Sequence, residues 1–203
     1  MNIMNIVIKK AVDFDECKME KIGKIFVEGF YDDALKYLSK DTEKLGKIFS
    51  CLLIPDYFYV AVIDNEIAGI ASCVKKGQYC LKYDRKVFVK YLGILKGILA
   101  GFFSKLMFTN YLDFPLEINE ETAIIEFVVT DKNFRKMGVA SSIFNQLFEI
   151  PEYRHYVLEV IDANTPAIEL YTKLGFKEII RKEPSHKKYS GINYFVYMKY
   201  SKV

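Results

Sequence analysis

The stretch that most constrains this chain is residues 123–148, where an apolar run, AIIEFVVT, passes through a polar turn into the sequence MGVASSIFNQLF. The apolar run reads as a buried strand, because β-branched and aromatic side chains cover both of its faces. From Gly138 to Ile150, Val139, Ile143, Phe144, Leu147 and Phe148 recur at three- and four-residue steps, which predicts an amphipathic helix. Strand, turn and helix in that order leave free N–H groups and the positive end of a helix dipole at residues 135–140. Gly138 and the small Ala140 let an anion approach that backbone, and Arg135 and Lys136 add positive charge, so the junction suits a diphosphate-like ligand. A glycine opening a helix also serves capping or packing, so the junction needs company before it carries a function.

The rest of the chain supplies a frame for it. With 203 residues and 51% hydrophobic content, the chain can bury a full core within one domain, spanning 1–203. Residues 5–12 read as a first strand, Asp15 to Phe30 as a helix, and Asp32 to Leu52 as a second helix. YFYVAVIDNEIAGIASCVKK gives two apolar runs across Asp64, Asn65 and Glu66, which predicts a β-hairpin. After the junction come a strand at 156–161, a helix from Pro166 to Leu174, a strand from Phe176 and a last strand at 192–200. Strands alternating with helices beside a hairpin imply an α/β (α+β mixed) fold with a central mixed sheet flanked by helices.

The formal net charge is only +3, with basic and acidic residues interspersed, so no nucleic-acid partner is expected. Cys17, Cys51, Cys73 and Cys80 form no CxxC pair and lie near no histidine at ligand spacing, so no metal and no disulfide are expected. Reduced thiols and a start without a secretion signal point to a cytoplasmic protein.

A second signature lies downstream in LEVIDANTPAIELYTKLGF, residues 158–176. Arg135, Gly138 and Ala140 at the junction, followed by Glu159, Asn164, Ala167, Leu170, Tyr171, Gly175 and Phe176, resemble the two motifs of the Gcn5-related N-acetyltransferase family in order and spacing. The resemblance covers about residues 123–176. It implies the acyl-CoA N-acyltransferase fold, with a sheet splayed between its fourth and fifth strands, and acetyl-CoA as acyl donor. The pantetheine arm would lie along Phe127, Val128, Val129 and Thr130, and the pyrophosphate would meet the N–H groups of Arg135, Lys136, Met137, Gly138, Val139 and Ala140. The implied activity is transfer of an acetyl or other short acyl group to a primary amine of a small molecule or peptide, directly in a ternary complex. The alternative is a catalytically silent acyl-CoA-binding module.

An alkylamine with a pKa near 10.4 is mostly charged at neutral pH, so a base is useful to such a reaction, and the departing thiolate benefits from a proton donor. Tyr171 occupies the position of that donor in the family; its other reading is a ring packed beside Phe176. Glu126 and Glu159 are rival bases, each a carboxylate in an apolar strand that must face a cleft or water, with bulk water or another group as the third alternative. Asn164 either bonds the pantetheine or caps the helix that follows it. No cysteine is expected to carry the acyl group, and His155 and His186 read as surface residues.

One segment, about 77–119, exceeds what the family needs between the third and fourth strands, and predicts a helical insertion. Phe88, Leu92, Leu95, Leu99, Phe102 and Leu106 recur at helical spacing, while Gly93, Gly97 and Gly101 form a second stripe that suggests close approach by another backbone. The insertion is expected to cover the acceptor cleft with its apolar stripe buried. Attachment to a membrane surface is the lesser reading of its many lysines, and Lys96 interrupts any spanning segment. A homodimer is compatible with the sequence.

Overall fold

In the computed structural model, which describes residues 5–32, 35–109, 114–184 and 192–202 apart from the side chains of 103–109, seven strands form one mixed sheet among the described residues. They are β1 (Val7–Lys10), β2 (Phe58–Ile63), β3 (Glu66–Val74), β4 (Thr122–Thr130), β5 (His155–Ile161), β6 (Lys177–Lys182) and β7 (Phe195–Ser201), in the order β1-β2-β3-β4-β5-β7-β6. The helices are α1 (Glu16–Phe30), α2 (Thr42–Leu52), α3 (Arg85–Leu92), α4 (Ile94–Thr109), α5 (Val139–Phe148) and α6 (Thr165–Lys173). The β4–β5 pair is parallel and the other pairs are antiparallel.

The two-residue side-chain period of β2 sends Phe58, Val60 and Val62 into one core and Ala61 and Ile63 into another, so both faces of the sheet are covered. On one face α1 and α2 cross where glycines meet: a Cβ on Gly23 would stand 2.3 Å from the Gly46 carbonyl oxygen. A side chain at Gly23 would have no room there. On the other face Ile143, Phe144 and Leu147 of α5 and Tyr171 of α6 join Tyr156 and Phe176 in an aromatic-rich layer.

Local chemistry sets the boundaries. Asp15 caps α1, its carboxylate accepting from Lys18 N–H at 2.9 Å. The predicted second helix, Asp32 to Leu52, is interrupted: a single turn at Leu35–Tyr37 ends before Asp41, which caps α2 by accepting from Lys44 N–H at 3.0 Å. The hairpin turns on two residues, Asp64 (φ 48°) and Asn65 (φ 67°), and Glu66 already belongs to β3.

The feature that makes a cleft is the early end of the β4–β5 ladder. Pairing runs from Thr122 and His155 to Ile125 and Leu158, whereas β4 continues to Thr130 and β5 to Ile161. At that point β4 also bulges, with Phe127 and Val128 opposite the single residue Ala71, between the pairs Ser72–Glu126 and Ile70–Val129. Phe127 adopts φ 53°, a conformation that costs a bulky L-residue roughly 1–2 kcal/mol. Its ring packs tilted against Phe26 (5.0 Å) and edge-on to Phe30 (5.2 Å) of α1, which offsets that cost.

The insertion between β3 and β4 is helical, and it corrects one expectation. Phe88 on α3 is buried, but Ile94, Leu95, Ile98, Leu99 and Phe102 on α4 are exposed. The glycine stripe decides this. A Cβ on Gly97 would stand 2.4 Å from the Val89 Cα, so α4 lies against α3 by its small residues Gly97, Ala100 and Gly101, and its large apolar residues point the other way. The side chain of Leu106 lies outside the described residues.

Candidate active site

The divergence of β4 from β5 opens a cavity of about 330 Å³ whose walls include Phe26, Phe127, Val128, Glu159, Asn164 and Tyr171. A second cavity, of about 260 Å³, lies beyond β4 and is lined by the two ends of the insertion, with Lys76, Tyr79, Cys80 and Leu81 on one side and Leu116, Glu117 and Ile118 on the other. Both cavities share Phe114, Ile124, Glu126 and Phe127. Glu126 thus stands on the wall between them.

Three contacts fix Glu126. Its carbonyl accepts from the buried Ser72 hydroxyl at 3.0 Å, its backbone is held by the β3 ladder, and its Oε2 accepts from the Cys80 thiol at 3.0 Å. Burial pushes its carboxyl up to about 7; the Cys80 hydrogen bond opposes that shift, and the negative charge of Glu159 adds to it. Cys80 is itself anchored, since its carbonyl accepts from Ile54 N–H at 2.8 Å and Lys82 N–H donates to the Leu52 carbonyl at 2.8 Å. Burial and the neighbouring Glu126 hold the Cys80 thiol well above its ordinary pKa, so it is a thiol and a donor, not a thiolate nucleophile.

Glu159 occupies the opposite wall, near the solvent-exposed mouth of the cleft. The protein around it raises its pKa, while a hydrogen bond from Tyr197 and the charge of Lys182 pull the other way. Unlike Glu126, it does not reach the second cavity among the described residues. Tyr171 is buried, its ring 5.5 Å from that of Phe144 and 6.0 Å from that of Phe176, and its hydroxyl makes no hydrogen bond among the described residues. The ring thus packs beside Phe176, and the residue also lines the cleft. Burial raises its pKa, so the hydroxyl keeps its proton at neutral pH.

The turn after β4 begins at Asp131, 3% exposed, which accepts from Asn133 N–H at 2.9 Å and pairs with Lys21 of α1 at 3.2 Å. Lys136 (φ 63°) and Gly138 (φ 81°, ψ 7°) both adopt left-handed conformations, and Gly138 is the N-cap of α5 without any side-chain hydrogen bond. A Cβ at Gly138 would meet nothing within 4 Å. The helix start is therefore uncapped and open, with Arg135, Lys136 and Met137 exposed around it. Val139 and Val129 send their side chains into the core, which leaves them only backbone groups to offer, and Val129 and Thr130 pair with Ile70 and Gly69 of β3. Asn164 lines the cleft and also caps α6, accepting from Ala167 N–H at 3.3 Å.

Cys80 and the second cavity escaped sequence reasoning, because Cys80 lies 46 residues from Glu126 and carries no motif. His155 sits at the start of β5 with Nδ1 2.9 Å from the Ser201 hydroxyl, apart from both cavities, and His186 lies outside the described residues.

Residues 19–176 match the model of the acetyltransferase (GNAT) family. No curated protein matches the chain in sequence. Among solved structures, it is similar to an N-acetyltransferase from Staphylococcus aureus Mu50, at 17% identity and a TM-score of 0.62 over 96% of this chain and 100% of that one. It is similar also to a ribosomal-protein-alanine N-acetyltransferase from Brucella melitensis, at 14% identity and a TM-score of 0.57 over 97% of this chain and 99% of that one. A third likeness is to yncA from Salmonella typhimurium, solved with its cofactor acetyl-CoA, at 13% identity and a TM-score of 0.56 over 97% of this chain and 94% of that one. At these identities the likeness is one of fold, and the fold is that of the acyl-CoA N-acyltransferases.

Proposed function

The chain belongs to the acetyltransferase (GNAT) family, and on that premise we propose that it moves an acetyl or other short acyl group from acyl-CoA to a primary amine of a small molecule or peptide. The observation that carries this reading is the position of Glu126, a carboxylate titrating near neutrality on the wall shared by two cavities. One cavity suits the acyl donor and the other the acceptor, so donor and acceptor would be held together and the acyl group passed directly.

The residues present fit acyl-CoA. The open edge of β4 past the bulge, at Phe127 and Val128, would take the pantetheine arm, and the uncapped start of α5 at 135–140 would take the pyrophosphate. Arg135 and Lys136, both exposed, would add charge-assisted contacts, and Asn164 would bond the arm where it lines the cleft. When bound, acyl-CoA supplies the acyl group as an activated thioester.

Glu126 would draw the proton from the incoming ammonium, directly or through a water. Three pH units between an alkylamine's pKa and neutrality correspond to about 4 kcal/mol, and a base with a pKa near 7 is matched to that task. Glu159, near the cleft mouth, would shape the charge felt by Glu126 and so act on the reaction through it. Tyr171, protonated and with an unused hydroxyl, would supply the proton or hydrogen bond to the departing thiolate.

The test is release of CoA thiol from acetyl-CoA with a panel of primary amines, in the wild type and in Glu126→Gln. Amine-dependent release that the variant loses supports the reading. Tight acetyl-CoA binding by calorimetry with no amine-dependent release would instead make the protein a catalytically silent acyl-CoA-binding module.

A further inference from the structure

We propose that the outer face of α4 docks on an anionic lipid surface. Five of the 13 large apolar residues that are exposed among the described residues fall within nine positions: Ile94, Leu95, Ile98, Leu99 and Phe102, each between 45% and 86% exposed. At about 100° per residue they span an arc of roughly 140°. That arc faces away from Ala100 and Gly97, and Gly101 stands at its edge beside Ile94; these small residues make the face turned to α3. The helix therefore has its packing face and its large apolar face reversed from what a core-facing helix would show. A soluble domain seldom leaves so contiguous a patch without a partner.

Charge selects the partner. Between residues 82 and 102 the chain carries Lys82, Arg85, Lys86, Lys90 and Lys96 against Asp84, so this segment holds more net positive charge than the whole chain, whose total is +3. All five basic residues are exposed, and none forms an ion pair among the described residues. Asp84 caps α3, accepting from Lys86 N–H at 2.8 Å, so it is already engaged. Two of the cations border the apolar arc: Lys96 follows Leu95 on α4 itself, and Arg85 has its Cγ 3.4 Å from where a Gly101 Cβ would be, one residue from Phe102.

An apolar stripe bordered by cations matches the acyl-headgroup boundary of an acidic leaflet, where apolar side chains enter the hydrocarbon and lysines stay with the phosphates. No described helix is long and apolar enough to cross a membrane. A second copy of the chain is the weaker occupant, because a two-fold contact on this face would set the Lys96 and Arg85 border of one copy against that of the other. The proposal is independent of the acyl-transfer reading, since α4 lines neither cavity with any described side chain.

The experiment is sedimentation of the full chain with vesicles of phosphatidylglycerol and, separately, of phosphatidylcholine, at low and high salt. Partition onto phosphatidylglycerol should exceed that onto phosphatidylcholine by about ten-fold or more and should fall as salt is raised. Leu95→Asp with Leu99→Asp, both on the exposed arc, should lose that partition while acetyl-CoA affinity and circular dichroism are unchanged. Replacing Lys86 and Lys96 by Gln, both exposed and outside the cation–ring contact that Lys90 makes with Tyr91, should lower it in the same direction. Equal partition onto both lipids, or undiminished partition by the Leu95/Leu99 variant, overturns the proposal. So does a wild-type dimer in sedimentation equilibrium that this variant turns into a monomer, since a second copy would then be the occupant.

Discussion

The Cys80 thiol donates to Glu126 Oε2 at 3.0 Å, joining the start of the insertion to the residue that divides the two cavities. That bond stabilises the charged carboxylate and so holds its pKa down against burial. If Glu126 is the base, kcat/KM should climb with pH through about 7 as the carboxyl ionises. Cys80→Ala removes the donor and should move that rise to higher pH, whereas Cys80→Ser keeps a donor and should leave it near the wild-type position. Profiles for the three proteins check this; coincident profiles for Ala and wild type would mean that the thiol has no hold on the base.

Stability should report the same carboxyl without any substrate. Because its pKa is raised from an ordinary 4.5 to about 7, Glu126 favours folding in its protonated form, fully so below about 4.5, and that contribution is lost as the pH rises through about 7. The difference corresponds to at most about 3 kcal/mol. Glu126→Gln keeps the shape and the acceptor for Cys80 but never ionises, so at pH above about 7 it should be more stable than the wild type, by roughly 2–4 °C in Tm for each kcal/mol gained. Below about pH 4.5 the two should melt alike. Thermal unfolding across that pH range decides the matter.

What the sequence reveals of this fold and this site depends on how local each feature is. The uncapped start of α5 and the Asn164 cap are written within a few consecutive residues, so Gly138 and Asn164 could be read directly, and Asp15 announces α1 in the same way. The contact between Cys80 and Glu126 spans 46 residues and depends on the insertion folding back against α2, which no periodicity encodes. The orientation of α4 failed for another reason. Periodicity shows that Leu95, Leu99 and Phe102 share a face, and that Gly97 and Gly101 share another, but only close packing decides which is covered; here backbone approach to Val89 won. Glu126 and Glu159 looked equivalent because both stand in apolar strands; the bulge at Phe127 and the end of the β4–β5 ladder make them different.

Tyr171→Phe should separate chemistry from packing. Its hydroxyl makes no hydrogen bond among the described residues and is not among their buried unpartnered polar atoms, so removing it should leave stability unchanged to within about 1 kcal/mol. The Phe ring keeps the contacts with Phe144 and Phe176. Turnover should nevertheless fall by about ten-fold or more, with acetyl-CoA affinity changed much less, because a donor to the departing thiolate matters chiefly in the transition state. Steady-state kinetics beside calorimetry reads both quantities. Equal losses in turnover and binding would assign Tyr171 to packing.

The last prediction concerns Gly138, where two effects can be told apart by the choice of side chain. At φ 81° and ψ 7° any Cβ is strained, by roughly 1–2 kcal/mol for alanine, but asparagine tolerates the left-handed region better. Apart from its chain neighbours nothing lies within 4 Å of where the Cβ would stand, so a larger side chain meets no neighbour there and would compete with an anion for the open space at the start of α5. Gly138→Ala should therefore lose more stability than Gly138→Asn, whereas Gly138→Asn, with the longer side chain, should weaken CoA at least as much as Gly138→Ala. Thermal unfolding and CoA calorimetry on both variants give the two rankings. If CoA affinity instead tracked stability, with Ala the worse binder, strain in the turn would explain the loss and the diphosphate would have to be placed elsewhere; if neither variant weakened CoA, the start of α5 would not be its site at all.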